Sequence, residues 1–465
     1  VAQRMARGWV SVVPVLFLDF LVIALPAGVL PIVLNSHYGQ RAYLLGGWAA
    51  TCKGLLAFLT SPALGALSDV IGRKWLFFAC VLGTAAPYAV LGLGASLDTH
   101  LILLGLSGLL SATFPLAFAF IADSVAPQQR ASAFGATIGL GLGGAFFVGP
   151  ALGATIDELL GTSAVFKACV AVTAFNAAFA VVVLHEPPSR GRLTWSELLR
   201  RSNPCRSFTG LLVASRPMRL LSVITLFYYL ALWGFLANKG VYARRRFQLT
   251  SRETAAQLSV FGAVSSLSQT AGLSAARKVA SEAQIARACF ACAMGAMLIY
   301  GFATDSRLLY PAMALLGLSV GGFATVSSLC SQVVPHALVG EAQGVIASMK
   351  ALMEGVGPLA FAWAMPRFEH TALPGAPWLG AAALTAVSLA LCCLLEECTN
   401  DAIDLEQFRG SGERLPLQNS RGKPSASRRS SRDSDSNSED FCADEGGSWE
   451  SPKACLQGVE SRRGV

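Results

Sequence analysis

Charge is what this chain has least of. Aspartate, glutamate, lysine and arginine make up only 14% of its 465 residues, where soluble domains carry about 25%. The deficit is deeper over most of the length, because the charges crowd into residues 185–219 and the stretch beyond Glu396. That distribution excludes a soluble globular protein. Strict apolar–polar alternation is also missing, which excludes the strands of a membrane barrel. None of the twelve cysteines falls in an expected extracytosolic loop, so no disulfide framework follows, and their spacing offers no metal site. Nucleotide-binding loops and hydrolase elbows are absent too, so neither ATP-driven pumping nor an enzyme is expected, and no cofactor. The net charge of +8 does not point to nucleic acid, because the basic residues lie mostly in loops beside apolar blocks, where they set orientation.

What is present is a series of apolar blocks long enough to cross a bilayer as helices of about 20 residues. Twelve spans are expected at 9–34, 43–67, 75–95, 100–122, 132–153, 163–184, 219–238, 255–275, 283–302, 307–329, 341–364 and 376–396. The first block is too long for a cleavable signal and is read as a span. The fold class is all-α: two pseudo-symmetric six-helix bundles at 1–184 and 219–396, a linker at 185–218, and a disordered tail at 397–465, whose polar composition cannot bury a core. The linker carries Arg190, Arg192, Arg200, Arg201, Arg206 and Arg216, which puts it and both termini in the cytosol. One loop disagrees: 239–252 holds Lys239, Arg244, Arg245, Arg246 and Arg252 on the expected outer side.

The halves repeat. Leu-Leu-Gly-Leu-Ser occurs at 103–107 and again at 315–319. Pro127, Gly135 and Gly149-Pro150 find Pro335, Gly344 and Gly357-Pro358 at offsets of 208, 209 and 208, and Gly65 finds Gly272 at 207. Near-equal offsets in one order imply duplicated halves with a solute site between them near the midplane.

Residues 65–74, Gly-Ala-Leu-Ser-Asp-Val-Ile-Gly-Arg-Lys, fall between the second and third spans. They put an acid, two glycines and two cations at one tight turn, where glycine permits close approach. The pattern resembles the signature loop of the major facilitator superfamily. Gly65, Asp69, Gly72, Arg73 and Lys74, with Asp123 and Arg130 on the same membrane face, are expected to form a charge latch for the cytosolic side. The alternative is that these charges only fix topology. In the second half Ala276 replaces the acid, so the latch is expected to be asymmetric. Gly135, Gly144 and Gly149-Pro150-x-x-Gly153 resemble the glycine motif of drug/proton antiporters, although four residues, not three, separate Gly144 from Gly149. With Gly357 and Pro358, they are otherwise read as close helix packing.

The run from Lys53 to Lys74 resembles the hippocampus-abundant-transcript group of facilitators, relatives of tetracycline/proton antiporters. So do Phe120-Ile-Ala-Asp123, Leu267-Ser-Gln-Thr270, Gln343-Gly-Val345 and Glu396-Glu-Cys-Thr-Asn400. The resemblance implies twelve helices and transport of a small organic solute, with sugars among the suggested cargoes. It also implies an acid in the first helix shared with tetracycline exporters.

Four ionisable residues remain deep in spans: Asp19, Lys53, Lys350 and Glu354. Each costs about 2.5–3.5 kcal/mol at a bilayer centre and so is expected to face protein or water. Asp19 is the candidate proton carrier, with Lys53 as a partner that would instead fix it as an ion pair. Lys350 and Glu354, one helical turn apart, are expected to pair, for structure or for substrate. Asn176, Tyr228, Tyr229 and Gln269 are candidates to line a cavity or to bond helix to helix. The expected function is secondary transport by a monomer in a lipid bilayer, either proton-coupled or uniport. The competing class is a receptor or scaffold that kept the fold.

Overall fold

A computed structural model describes residues 9–125, 130–184, 216–333 and 339–410. Among these there is no strand, and the helices form twelve rods. They are α1 (residues 9–38), α2 (Ala42–Ile71), α3 (Arg73–Gly92), α4 (97–124), α5 (130–160), α6 (Thr162–Val183), α7 (Arg216–Phe247), α8 (251–276), α9 (Glu282–Phe302), α10 (306–333), α11 (Val339–Phe368) and α12 (Ala376–Gly410). Ten stretches are long and apolar enough to cross a membrane; Val12–Gly28 in α1 is shorter. The remaining rod, α8, begins with the polar residues Ser251, Arg252 and Glu253. It lies packed between α5 and α10.

Local chemistry sets several boundaries. Gly72 (φ 109°) ends α2 and Gly161 (φ 84°) ends α5, in a backbone region that costs side-chain-bearing residues dearly. Thr250 with Glu253 and Ser281 with Gln284 form capping boxes that start α8 and α9, each satisfying two otherwise orphaned N–H groups.

Two boundaries correct the sequence reading. The basic segment expected as a loop at 239–252 is helical to Phe247. Cations in a last helical turn are favoured by the helix dipole, and the Arg244 guanidinium donates to the carbonyls of Gln248 (3.2 Å) and Leu249 (2.7 Å) just beyond it. At the other end, residues 397–410, assigned above to a disordered tail, continue α12. A nucleated helix gains one hydrogen bond per added residue, and no glycine or proline interrupts the sequence between Gly380 and Gly410. Residues 185–215 and 411–465 lie outside the described residues.

Helix pairing carries the duplication into three dimensions. In the first half α1 packs on α5, α2 on α4 and α3 on α6; in the second α7 packs on α11, α8 on α10 and α9 on α12. Adding six to each member of the first set gives the second. The halves meet where α2 packs on α11 and α5 on α8, two seams that the same operation exchanges. The repeated Leu-Leu-Gly-Leu-Ser does the same job twice. Ser107 donates to the Leu104 carbonyl and Ser319 to the Leu316 carbonyl, both at 2.7 Å, where α4 and α10 each leave regular α-helix.

Each half has its own core. Val15, Leu16, Phe77, Leu116 and Phe120 pack together in the first. In the second, Trp378 is fully buried against Phe235, Tyr300 and a stacked Phe361. The exterior is apolar: Val182 is 76% exposed, Ile102 63% and Phe302 62%. Water would penalise that surface and lipid would not.

Candidate transport path

The rare interior charges lie on helices of both halves. Asp19, on α1, is 1% exposed; neither carboxylate oxygen makes a well-formed hydrogen bond among the described residues, and the Thr113 hydroxyl of α4 lies beside it. Lys53, on α2, is its charged neighbour. Asn176, on α6, is fully buried and donates from Nδ2 to the Val15 carbonyl at 3.2 Å. That bond joins α6 to α1 one turn before Asp19, so Asn176 holds the helix that presents the acid. Its Oδ1 has no partner among the described residues.

Across the molecule, Lys350 and Glu354 do pair, at 3.9 Å, with side chains 31% and 23% exposed. The Lys350 ammonium also sits 5.5 Å from the ring centres of Trp233 and Phe323 and 6.0 Å from that of Tyr229. Three aromatic faces from α7 and α10 thus surround a cation from α11, within the range where ring quadrupoles attract it. Trp233 and Phe323 were not singled out by sequence, because aromatics are common in membrane helices. Tyr228 takes the bonding alternative: fully buried, it donates to the Ser319 carbonyl at 3.2 Å and packs on Phe290 at 4.6 Å.

The seams are built from small residues. On α2, Thr51 donates to the Gly355 carbonyl at 2.6 Å, and a methyl group at Gly54 would overlap Gly355 backbone. On α5, Gly135 faces the Gln269 carbonyl of α8, Gly139 faces Thr270, and Gly143 faces Ser266. Further along, Gly149 packs on Ala24 and Gly153 on Leu25 of α1, whereas Gly144 makes only ordinary contact with Phe17. Gly357-Pro358 repeats the first-half pattern, with Gly357 close to Leu230 and Gly234 of α7. The Pro358 carbonyl accepts from Asn238 Nδ2 at 3.0 Å. Residues 137–143 of α5 and 268–272 of α8 are wide π turns. A π turn takes up an extra residue, and the one in α5 immediately precedes the glycine pair whose spacing departs from the antiporter motif. Gln269 lies in the second wide turn, 2% exposed, with neither amide atom hydrogen-bonded among the described residues.

At the end bearing the signature loop, Arg73 donates to Ser68 Oγ at 3.0 Å. Lys74 donates to the Val181 carbonyl in the last turn of α6 and lies 5.6 Å from the Trp75 ring centre. Gly65 has open space around it among the described residues. The side chains of Asp69, Asp123 and Arg130 lie outside the described residues.

The far end carries ties that the sequence reading missed. Arg245, at the end of α7, pairs with Glu369 just beyond α11. Across the seam it donates to the Gly39 carbonyl at 3.3 Å, and its guanidinium lies 5.7 Å from the Tyr43 ring centre. Asp157 of α5 accepts from Thr162 at 2.6 Å and from Ser251 of α8 at 2.9 Å. Arg252 and Glu158 add an exposed pair at 3.9 Å. The basic segment that disagreed with the charge bias is therefore part of a polar seam between halves.

Twelve helices in two repeated halves, with scarce charges held in the interior, define a multi-pass membrane transporter. The chain belongs to the Major Facilitator Superfamily, whose sequence pattern matches residues 12–358. It is 25% identical over 425 residues to the hippocampus abundant transcript 1 protein of Homo sapiens, covering 85% of this chain and 86% of that protein. It is 26% identical over 421 residues to hippocampus abundant transcript-like protein 1 of Bos taurus, covering 86% and 83%. It is also 28% identical over 370 residues to the class C tetracycline resistance protein of Escherichia coli, covering 78% and 86%. Among solved structures, the human organic anion transporter MFSD10 (TETRAN) superposes with a TM-score of 0.65 at 22% identity. The nucleoside transporter NupG does so with a TM-score of 0.65 at 13% identity. Each match covers 83% of this chain and 99% of the solved one. At such identities the likeness is one of fold.

Proposed function

We propose that the protein moves a small organic solute across its membrane by alternating access and couples that movement to protons through Asp19. The observation that carries this reading is the Asp19 carboxyl: buried on α1 beside the Thr113 hydroxyl and Lys53, with no well-formed hydrogen bond among the described residues. An ionised carboxylate left unpaired away from water is costly. Such a group is suited to gain and lose a proton as water reaches it from one side and then the other. The positive charge of the linker supports a cytosolic setting for both termini, under which the far end is the outer one. The Arg245–Gly39 and Asp157–Ser251 ties between the halves then close the outer side, and rocking of the halves breaks them while the signature loop closes the inner side. In that inner latch we assign roles to Gly65, Asp69, Gly72, Arg73, Lys74, Asp123 and Arg130. The proteins of similar sequence or fold are named for tetracycline, organic anions and nucleosides, so their names do not choose a cargo.

The test is uptake of radiolabelled carboxylates, nucleosides and hexoses into proteoliposomes, with and without a pH gradient. The wild-type protein should concentrate one class only when the gradient is imposed. Asp19→Asn should equilibrate that solute without responding to pH. Full gradient-driven accumulation by Asp19→Asn would remove the coupling role. A wild-type protein that moves its solute equally well without a gradient would be a uniporter. That second reading has its own support in the proximity of Lys53, which can hold Asp19 as a fixed ion pair.

A further inference from the structure

From the surroundings of Lys350 we infer that the transported solute is an organic anion with a flat apolar body, and that Lys350, Trp233, Tyr229 and Phe323 form its recognition site. This deepens the transporter reading and rests on it. The ammonium of Lys350 makes no hydrogen bond among the described residues; Glu354 stands off at 3.9 Å, and the rings of Trp233, Phe323 and Tyr229 line another part of its surroundings. An ammonium has three N–H donors, and ring faces soften its charge without accepting conventional hydrogen bonds. Donors are therefore left over beside a cation that is 31% exposed. The indole N–H of Trp233, on one of those rings, is also buried and without a partner among the described residues. An oxygen-bearing anion supplies acceptors for both.

A cationic solute fits worse. The ring faces that would receive it are already occupied by Lys350, whose charge would repel it at short range. Glu354 leaves the choice standing, because it sits on the same helix as Lys350 and engages one side of the ammonium. The solute's apolar body then lies along Phe323, Tyr229 and Trp233, whose faces favour offset stacking on a flat ring. Charge-assisted hydrogen bonds fix the head and stacking fixes the body. Loss of such a bond to a charged group corresponds to about ten- to a hundredfold in affinity.

Three probes separate charge from shape: 2-naphthoate, 2-naphthamide and 2-naphthylmethylammonium share one ring system with charges of opposite sign and none. Competition binding to the purified full-length protein should rank naphthoate at least about tenfold tighter than the other two. Lys350→Gln should abolish that preference, Lys350→Arg should keep it, and Glu354→Gln should strengthen naphthoate binding. Thermal unfolding checks that each variant is folded. If Lys350→Gln is not folded, Trp233→Phe retains the ring, removes the N–H, and should weaken naphthoate severalfold. Equal binding of all three probes, preference for the ammonium, or unchanged preference in folded Lys350→Gln would overturn the inference. Proteoliposome flux keeps the two readings apart. Selective naphthoate binding without flux of any solute defeats the transporter reading, whereas pH-driven flux of a neutral or cationic solute defeats only the anion site.

Discussion

Gly54 and Gly46 lie on the same helix and have opposite prospects. A methyl group at Gly54 would overlap Gly355 across the α2–α11 seam, whereas Gly46 has open space within 4 Å. Overpacking costs about 1–3 kcal/mol, so Gly54→Ala should lower the unfolding midpoint by several degrees and reduce flux. Gly46→Ala should be neutral or slightly stabilising, since alanine favours a helix by about 0.5–1 kcal/mol over glycine. Differential scanning fluorimetry checks both; equal effects would mean that the seam tolerates slack. At this scale the sequence showed where to look only where a residue type was rare. Asp19, Lys350 and Glu354 stood out because charge is scarce in the spans. Trp233, Phe323 and Tyr43 did not, because nothing local distinguishes an aromatic that faces a cation from one that fills a core. Gly72 was legible through the turn it makes. Gly65, from the same motif, has no crowded neighbour among the described residues.

Among elements, helix ends follow local rules that the sequence states openly. Thr250-Ser-Arg-Glu253 is a capping box in sequence and in structure. The Thr250 backbone N–H, and then its hydroxyl, hold the Glu253 carboxyl below the usual glutamate range. A group held low in the folded state contributes its stabilisation above its ordinary range and loses it as pH falls through the depressed value. Glu253 is largely exposed, so the effect is local. Acidification, or Glu253→Ala at neutral pH, should speed amide exchange over 250–256, after correction for intrinsic rates, while α5 stays protected. Thr250→Ala should do the same at a cost of about 1 kcal/mol. Exchange unchanged in all three cases would show that tertiary packing alone starts α8. The extension of α7 to Phe247 was written in the sequence as well, as cations in a last turn. Reading those cations as a topology signal hid it. The wide turn in α5 left a trace as one residue too many between Gly144 and Gly149, which a fixed-spacing motif cannot interpret.

For the whole molecule, the repeat was legible and the pairing was not. Offsets of 207 to 212 residues announced two halves because the same turns and breaks recur. Rods apolar nearly all round give little sign of which face meets which neighbour, so the α2–α11 and α5–α8 seams needed coordinates. The far-end ties yield a test on the same scale. Arg245→Ala removes the contacts with Gly39 and Tyr43 across the seam, whereas Glu369→Ala removes a bond within the second half. The separation between spin labels at Ser36 and Ala372, in a background without exposed thiols, should lengthen and broaden in Arg245→Ala and change less in Glu369→Ala. An unchanged distance in Arg245→Ala would show that the helix seams close this end without that arginine.

The order in which the chain is made gives those arginines a history. Glu369 follows Arg245 by 124 residues, so when the hairpin of α7 and α8 emerges from a ribosome its acid does not yet exist. In the proposed orientation the arginines must cross the bilayer before that acid arrives. Gly39, Tyr43, Asp157 and Glu158 are already synthesised by then, and all four lie in the earlier half. The first bundle thus serves as a template that receives the newcomer's charges, and Glu369 later adds a partner from the newcomer's own half.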